Sequence, residues 1–303
     1  MSKVFTFLKG MAMGAADVVP GVSGGTIAFI TGIYDTLLES IRRVNPSLIG
    51  IWRDKGFKAA FEHINGTFLI LLLSGILTSI FTLARIITWM LHTHPIPLWS
   101  FFFGLIIVSV NHMFKQIKHW KPNRFLSVVA GAMFAYGITV LHPLSLEPTL
   151  LNTLIAGSIA ICAMILPGIS GSFILLLLGM YTPILAAAKS LDIVTLGTFA
   201  SGCLLGLLSF SHVLSWVLRR HRDIALTFLT GLMIGTLSKI WPWKETLTWR
   251  TNSSGQQVPL LEQNLSPLNF EQITGQPALL GYAIAAMLVG IGIVWALEKV
   301  AEK

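Results

Sequence analysis

Charge is what this 303-residue chain has least of: 11% of its residues are Asp, Glu, Lys or Arg, against roughly 25% in ordinary soluble domains. With 54% hydrophobic residues, it is excluded from the soluble globular class and reads as an integral membrane protein. Its 13 acidic residues form no cluster, and neither an H-E-x-x-H nor a G-x-x-x-x-G-K-[ST] run occurs. Zinc-hydrolase and phosphate-loop chemistry are therefore not expected, nor a metal, a cofactor or an enzymatic role. The two cysteines, Cys162 and Cys203, lie inside apolar runs, where small buried residues are expected rather than a disulfide or metal pair. The formal charge of +8 comes from basic residues that flank apolar runs instead of forming a stripe, which argues for membrane orientation and against nucleic acid. Lys9 interrupts the first apolar stretch, and no small-residue cleavage site follows, so a removable signal peptide is not expected.

What the chain does have is apolar runs near the ~20 residues that cross a bilayer. Six spanning helices are expected at about 66–91, 97–113, 124–141, 195–218, 223–241 and 277–297. Between them lies a repeat. "VPGVSGGTIAFITGIYDTLL" (19–38) aligns without gaps on "LPGISGSFILLLLGMYTPIL" (166–185) at an offset of 147, with eight of twenty positions identical. A second echo at offset 131 pairs Gly66, Gly75 and Gly104 with Gly197, Gly206 and Gly235. The chain reads as one membrane domain made of two copies, about 1–145 and 146–303. Residues 244–276, the only long polar stretch, read as an extracytoplasmic loop without assigned chemistry.

Each motif copy is flanked by apolar arms of about 15 residues, roughly 22 Å as helix and short of a ~30 Å hydrocarbon core. Pro20-Gly21 and Pro167-Gly168 break the helical ladder and allow a sharp reversal. The expected fold is thus all-α and polytopic, with two re-entrant hairpins at about 4–41 and 150–188. If both hairpins return to the side they left, one face receives sixteen of the 21 Lys and Arg and the other receives Lys189, Lys244 and Arg250. The first face is then cytoplasmic, both termini lie there, and the repeats are inverted. Trp89, Trp99, Trp241 and Trp243 fall near the predicted outer boundary, as belt residues do. The small-xxx-small pairs Gly202/Gly206 and Gly231/Gly235 predict close helix packing.

Inverted repeats with broken helices at the midplane are transporter architecture. Beyond each Pro-Gly break a helix begins at Ser23, Gly24, Gly25 and Thr26, or at Ser170, Gly171 and Ser172, presenting N–H groups that suit an anion and phosphate especially. The plainer alternative is that these serines only cap their own helices. Asp17, at the end of the first arm, faces a helix C-terminus and needs a partner or a proton. Arg85 lies deep in its span, where a charge costs at least ~2.5 kcal/mol, and is expected to neutralise the phosphate or Asp17. Glu39 stands beside Arg42 and Arg43 as a charge partner, in an interfacial cluster or a headgroup entrance. Lys239, beside Trp241, is a candidate outer headgroup contact.

Two resemblances bear on function. "PGVSGGT" and "PGISGS" are similar to the Pro-Gly-x-Ser-Arg-Ser hairpin of the undecaprenyl-pyrophosphate phosphatases, but Gly24 and Gly171 replace the arginine and no glutamate cluster exists. Hydrolysis is therefore disfavoured. The stretches "MGAADVVPGVSGGTIAFITGIYDTLLESI" (13–41), "ILPGISGSFILLLLGMY" (165–181) and "GLMIGTLSKIWPW" (231–243) resemble the bacterial polyprenyl-phosphate transporter (undecaprenyl-phosphate translocase) family. That resemblance implies return of undecaprenyl phosphate from the outer to the inner leaflet of the cytoplasmic membrane, recycling the carrier for peptidoglycan and other envelope polymers. Undecaprenyl phosphate and membrane lipids are then the partners, with Asp17 expected to couple the cycle to a proton or sodium gradient. A secondary transporter of another small anion, a lipid-phosphate phosphatase and a membrane scaffold are the alternatives.

Overall fold

The computed structural model describes residues 3–19, 22–117, 120–141, 144, 146–251 and 257–301. The first motif opens with α1 (Lys3–Val18), α2 (Gly24–Ile30) and α3 (Tyr34–Arg42). After α4 (Ser47–His63) come three long helices, α5 (Gly66–Thr93), α6 (Pro95–Gln116) and α7 (Pro122–Val140). The second motif repeats the opening with α8 (Leu150–Ile165), α9 (Gly171–Leu177) and α10 (Tyr181–Ser190), followed by α11 (Ile193–Arg220) and α12 (Arg222–Thr236). An antiparallel hairpin of β1 (Lys244–Thr251) and β2 (Gln257–Asn264), then α13 (Pro267–Thr274) and α14 (Leu280–Ala301), complete the order.

The chain is predominantly helical as expected, and residues 244–251 and 257–264 add a two-stranded sheet. One expectation is corrected here: neither second arm is one continuous helix. Gly32 and Gly179, identical under the 147 offset, take φ of 70° and 72°, and at the latter α9 and α10 bend by 108°. The break between α8 and α9 is visible at Gly168, whose φ of 89° is open to glycine at little cost. Its counterpart Pro20-Gly21 lies outside the described residues.

Four helices among the described residues, α5, α6, α7 and α11, are long and apolar enough to cross a bilayer. The fifth expected span is shorter than its 223–241 reading: α12 stops at Thr236 after 15 residues, about 22 Å. The apolar described part of α14 runs from Leu280 to Ala296. α12 and α6 are mates under the duplication, touch each other, and each bury ten residues. α2, buried at all seven residues, lies in the same core.

Four helix pairs hold the assembly together: α1 with α5, α8 with α11, α7 with α12, and α6 with α14. Exchanging the two copies turns the first pair into the second and the third into the fourth, so one packing scheme is used twice. Small residues make these seams possible. A side chain at Gly75 would collide with the Phe7 carbonyl, at Gly202 with the Leu154 carbonyl, at Gly231 with the Val128 carbonyl and at Gly104 with the Met287 carbonyl. Between helices in lipid, backbone approach of this kind replaces the hydrophobic drive that water supplies elsewhere.

One contact breaks the scheme. α3 packs on α11, whereas its mate α10 makes no comparable contact with α5. Correspondingly Tyr34 and Leu38 on α3 are buried, at 2% and 1% exposed, while Tyr181 and Leu185 on α10 are half-buried.

Overpacking the seams tests this account. Gly75→Leu and Gly202→Leu are each expected to destabilise the folded protein by about 1–3 kcal/mol or more, measured as a lower thermal midpoint in detergent. Gly281→Leu, at a position with open space around it, is expected to leave the midpoint unchanged.

Candidate functional site

The first motif folds around its own acid. Ser23 takes the extended conformation of an N-cap, φ −124° and ψ 136°, and its Oγ accepts from the Gly25 N–H at 3.1 Å. The Gly24 N–H donates to Asp17 Oδ1 at 2.7 Å, and the Thr26 N–H donates to the Ser23 carbonyl at 2.9 Å. A Cβ at residue 24 would sit 2.6 Å from Asp17 Oδ2, so the glycine is what admits the carboxylate. The expectation of free N–H donors over Ser23–Thr26 is therefore corrected: a carboxylate of the chain itself already fills the anion position. Asp17 is also not left facing a helix C-terminus. Among the described residues its oxygen is bound by α2, and the pair expected with Arg85 is not formed, because Arg85 is exposed on α5.

The two motifs then lock onto each other. Ser23 Oγ lies 3.1 Å from the Met164 carbonyl oxygen and 3.3 Å from that of Leu166, and the Tyr34 hydroxyl donates to the Ile165 carbonyl at 3.1 Å. In the other direction the Gly168 N–H donates to Thr26 Oγ1 at 2.8 Å. A Cβ at Gly25 would lie 2.6 Å from the Ile165 carbonyl oxygen. These bonds satisfy the backbone groups that the α8–α9 break frees, as a break surrounded by apolar side chains requires.

The second motif differs at its tip. Ser170 is the N-cap of α9 but makes no capping bond, and its Oγ meets Ser172 Oγ at 2.8 Å. Met164 stands where Asp17 stands in the first copy, and its side chain covers Gly171. A cavity of about 10 Å³ is lined by Gly168, Ser170, Phe173, Thr236, Thr139 and Lys239, room for about one water. Lys239, read from the sequence as a candidate outer headgroup contact, lines this cavity, and its Nζ is held by Glu262 Oε2 at 3.1 Å.

Glu262 belongs to the stretch from which no chemistry was expected. It also pairs with Lys244 at 3.6 Å, and Lys244 Nζ sits 3.9 Å above the Trp99 ring. Burial pushes the Lys244 ammonium down from 10.5 to about 8, with Glu262 pulling the other way and Lys239 adding repulsion. Burial by itself raises Glu262, but the Lys244 and Lys239 ammoniums outweigh it and hold the carboxyl below its ordinary value. The base of the β-hairpin is anchored by two indoles: Trp241 donates to the Leu265 carbonyl and Trp243 to the Ala278 carbonyl, both at 2.8 Å. Trp243 is 4% exposed, which corrects its reading as a membrane-belt residue.

At the far end of the core a second group of charges gathers. Glu39 binds Arg42 at 2.9 Å, Arg43 at 3.3 Å and Arg219 at 3.3 Å, while Asp35 binds Arg222 at 3.1 Å. A cleft of about 570 Å³ opens between them, lined also by Asn65 and Ser215. The sequence placed Glu39 with Arg42 and Arg43. It did not place Arg219 and Arg222, 180 residues or more away, whose basic run had the appearance of an orientation signal.

Against known proteins, residues 13–258 match the family described as VCA0040-like: Undecaprenyl phosphate translocase-like. A protein of Vibrio cholerae serotype O1 named Polyprenyl-phosphate transporter is 67% identical over 303 residues, covering 100% of this chain and 98% of that protein. A Staphylococcus aureus protein of the same name is 33% identical over 259 residues, 79% of this chain and 87% of the relative. No solved structure is a significant match.

Two outcomes follow from this geometry. Asp17→Ala strands the Gly24 N–H in the core and is expected to cost about 1–3 kcal/mol of stability, whereas Asp17→Asn keeps an acceptor and is expected to cost less; thermal midpoints of the two variants compare them. For the β-hairpin, the folded value of Glu262 lies below its unfolded one, so its contribution is present above about pH 4.5 and is lost as pH falls through the folded value. Lys244 is also depressed, so its burial opposes docking below about pH 8 and that opposition is relieved between 8 and 10.5. Indole fluorescence of the docked hairpin is accordingly expected to hold through neutral and mildly alkaline pH and to change only on acidification.

Proposed function

Because the chain belongs to the undecaprenyl phosphate translocase-like family, we propose that it carries undecaprenyl phosphate from the outer to the inner leaflet of a bacterial cytoplasmic membrane, returning the lipid for peptidoglycan and other envelope polymers. Polyprenyl phosphate transport is the activity named for both relatives. The direction, the leaflets and the membrane are our own reading.

The observation that carries it is the broken exchange symmetry. Two copies of one packing scheme surround interlocked motifs, yet α3 closes on α11 while α10 stands off α5. Inverted repeats that adopt two different arrangements at once are the structural basis of alternating access. The excess of Lys and Arg at the α3–α11 end makes that end cytoplasmic, with both termini there, and the short arms around each Pro-Gly break make the hairpins re-entrant. The described conformation holds its cleft of about 570 Å³ at that end, while the cavity at the second tip is near 10 Å³.

A phosphate monoester carries about −1.5 to −2 charges at neutral pH, and an unpaired ion in hydrocarbon costs tens of kcal/mol by Born solvation. The headgroup must pass through protein, while the polyprenyl tail stays in lipid. Ser170 and Ser172, with Lys239, supply hydroxyls and a cation at the second tip. At the cytoplasmic end Arg43, Arg219 and Arg222 line a cleft large enough for a headgroup. Its two carboxylates, Glu39 and Asp35, hold those guanidiniums until phosphate replaces them. Asp17, present in one copy only, is the group through which a proton or sodium gradient acts. The cycle makes and breaks no covalent bond.

Leaflet-resolved transport in proteoliposomes tests this reading: labelled undecaprenyl phosphate is expected to move, and a reconstituted protein that moves none under any ion gradient refutes it. Cysteines at Asp35 and Arg222, joined by a short thiol cross-linker, are expected to stop transport and reduction to restore it. Transport that continues through the cross-link would show that the α3–α11 end does not open.

A further inference from the structure

At the base of the β-hairpin two lysines share one acid. Lys239, Lys244 and Glu262 are withdrawn from solvent, with side chains 20%, 6% and 18% exposed. Both ammoniums share the one carboxylate oxygen, Oε2, at 3.1 and 3.6 Å. Two ammoniums thus face one carboxylate in a poorly hydrated place, with the Lys244 Nζ also donating to the Lys239 carbonyl at 2.7 Å, so the local charge is net positive. Each ammonium also faces an aromatic ring: Lys239 lies 5.3 Å from the Phe173 centroid and Lys244 lies 3.9 Å from that of Trp99. Cation–π attraction of this kind holds a cation in position when its anion leaves. Beneath Lys239 the cavity reaches Ser170 and Gly168 at the second tip.

We propose that Lys239 and Lys244 form a phosphate-monoester site at the outer headgroup layer, in which Glu262 is a resident stand-in that the arriving phosphate displaces. The chemistry fits on both counts. A dianion balances two ammoniums where a carboxylate balances one, and phosphate offers three acceptor oxygens in place of one shared oxygen. Glu262 reaches the site from β2, which pairs only with β1 among the described strands, so its carboxylate can leave without unpacking a membrane helix. While it is bound, the two lysines are pinned and the cavity at the second tip stays near the size of one water. Its release frees Lys239 to pass the headgroup toward Ser170. The lipid as ligand, and the outer face as location, rest on the reading given under Proposed function.

The test uses the full chain in lipid nanodiscs and measures binding of undecaprenyl phosphate, with inorganic phosphate as competitor. Removing the stand-in by Glu262→Gln is expected to tighten binding about tenfold, the change equivalent to a competing part-buried ion pair. Lys239→Gln combined with Lys244→Gln is expected to weaken it at least about tenfold, with Lys239→Arg restoring most of the loss. Unchanged or weaker binding in a Glu262→Gln protein that keeps its native indole fluorescence would overturn the proposal. Inorganic phosphate competing as well as the lipid would assign the site to the free ion and overturn the lipid headgroup as its ligand. Leaflet transport is scored separately: wild-type protein that binds in this Glu262-dependent way without transporting refutes the transport reading alone, and protein that transports with all three side chains neutralised refutes the site alone.

Discussion

The fold depends on how two broken helices satisfy each other's backbone. Where α8 stops before α9, a carbonyl or N–H without a partner would be stranded among apolar side chains. The first motif supplies the missing partners: Ser23 and Tyr34 meet the carbonyls of residues 164–166, and Thr26 accepts from Gly168. This interlock is what lets irregular backbone lie deep in a chain with so little polar surface. It also explains the composition of the motif, since hydroxyls and glycines are short enough to meet a neighbouring main chain directly. Around it the helices close on one another through glycines, with one pattern used in both copies.

Having fixed a symmetric frame, the protein breaks it in three places. Asp17 caps α2, while Met164 covers the equivalent tip. α3 is buried against α11, while α10 is not held against α5. The acidic and basic residues Asp35, Glu39, Arg219 and Arg222 tie one end together, whereas the 147 and 131 offsets place Thr182, Ala186, Thr88 and Leu91 at the corresponding positions. The charged latch therefore exists at one end, and at the other end the β-hairpin brings its own carboxylate to Lys239. Both ends use the same device, a chain carboxylate held on basic side chains.

Much of this was legible in the sequence, for physical reasons. A bilayer demands long apolar runs, so the spans over α5, α6, α7 and α11 show in composition alone. Duplication leaves a constant offset, so the two motifs and the glycine seams were readable, and Ser23 behaves as the cap its position suggested. Misreadings arose where a residue's partner lies far along the chain. Arg85, expected from its depth along the helix to neutralise the phosphate or Asp17, is exposed on α5 and makes no pair with Asp17, because depth does not give rotation. The free N–H groups expected at Ser23–Thr26 are taken by Asp17 and Ser23 itself, a closure that needs the three-dimensional turn between α1 and α2.

The sequence by itself determined the membrane class, the repeated motif, four of the segments able to span and the polar residues set between them, because hydropathy, repetition and helix-breaking chemistry are properties of neighbours in the chain. Tertiary structure decided which of those polar groups remain available to a ligand. Asp17 is consumed in capping α2, Glu39 gathers arginines from both copies, and Glu262 crosses from an unpromising loop to two lysines. The reason is that charge pairing in a low-dielectric interior depends on distances of a few ångströms between groups as far as 187 residues apart, and no local pattern encodes those distances.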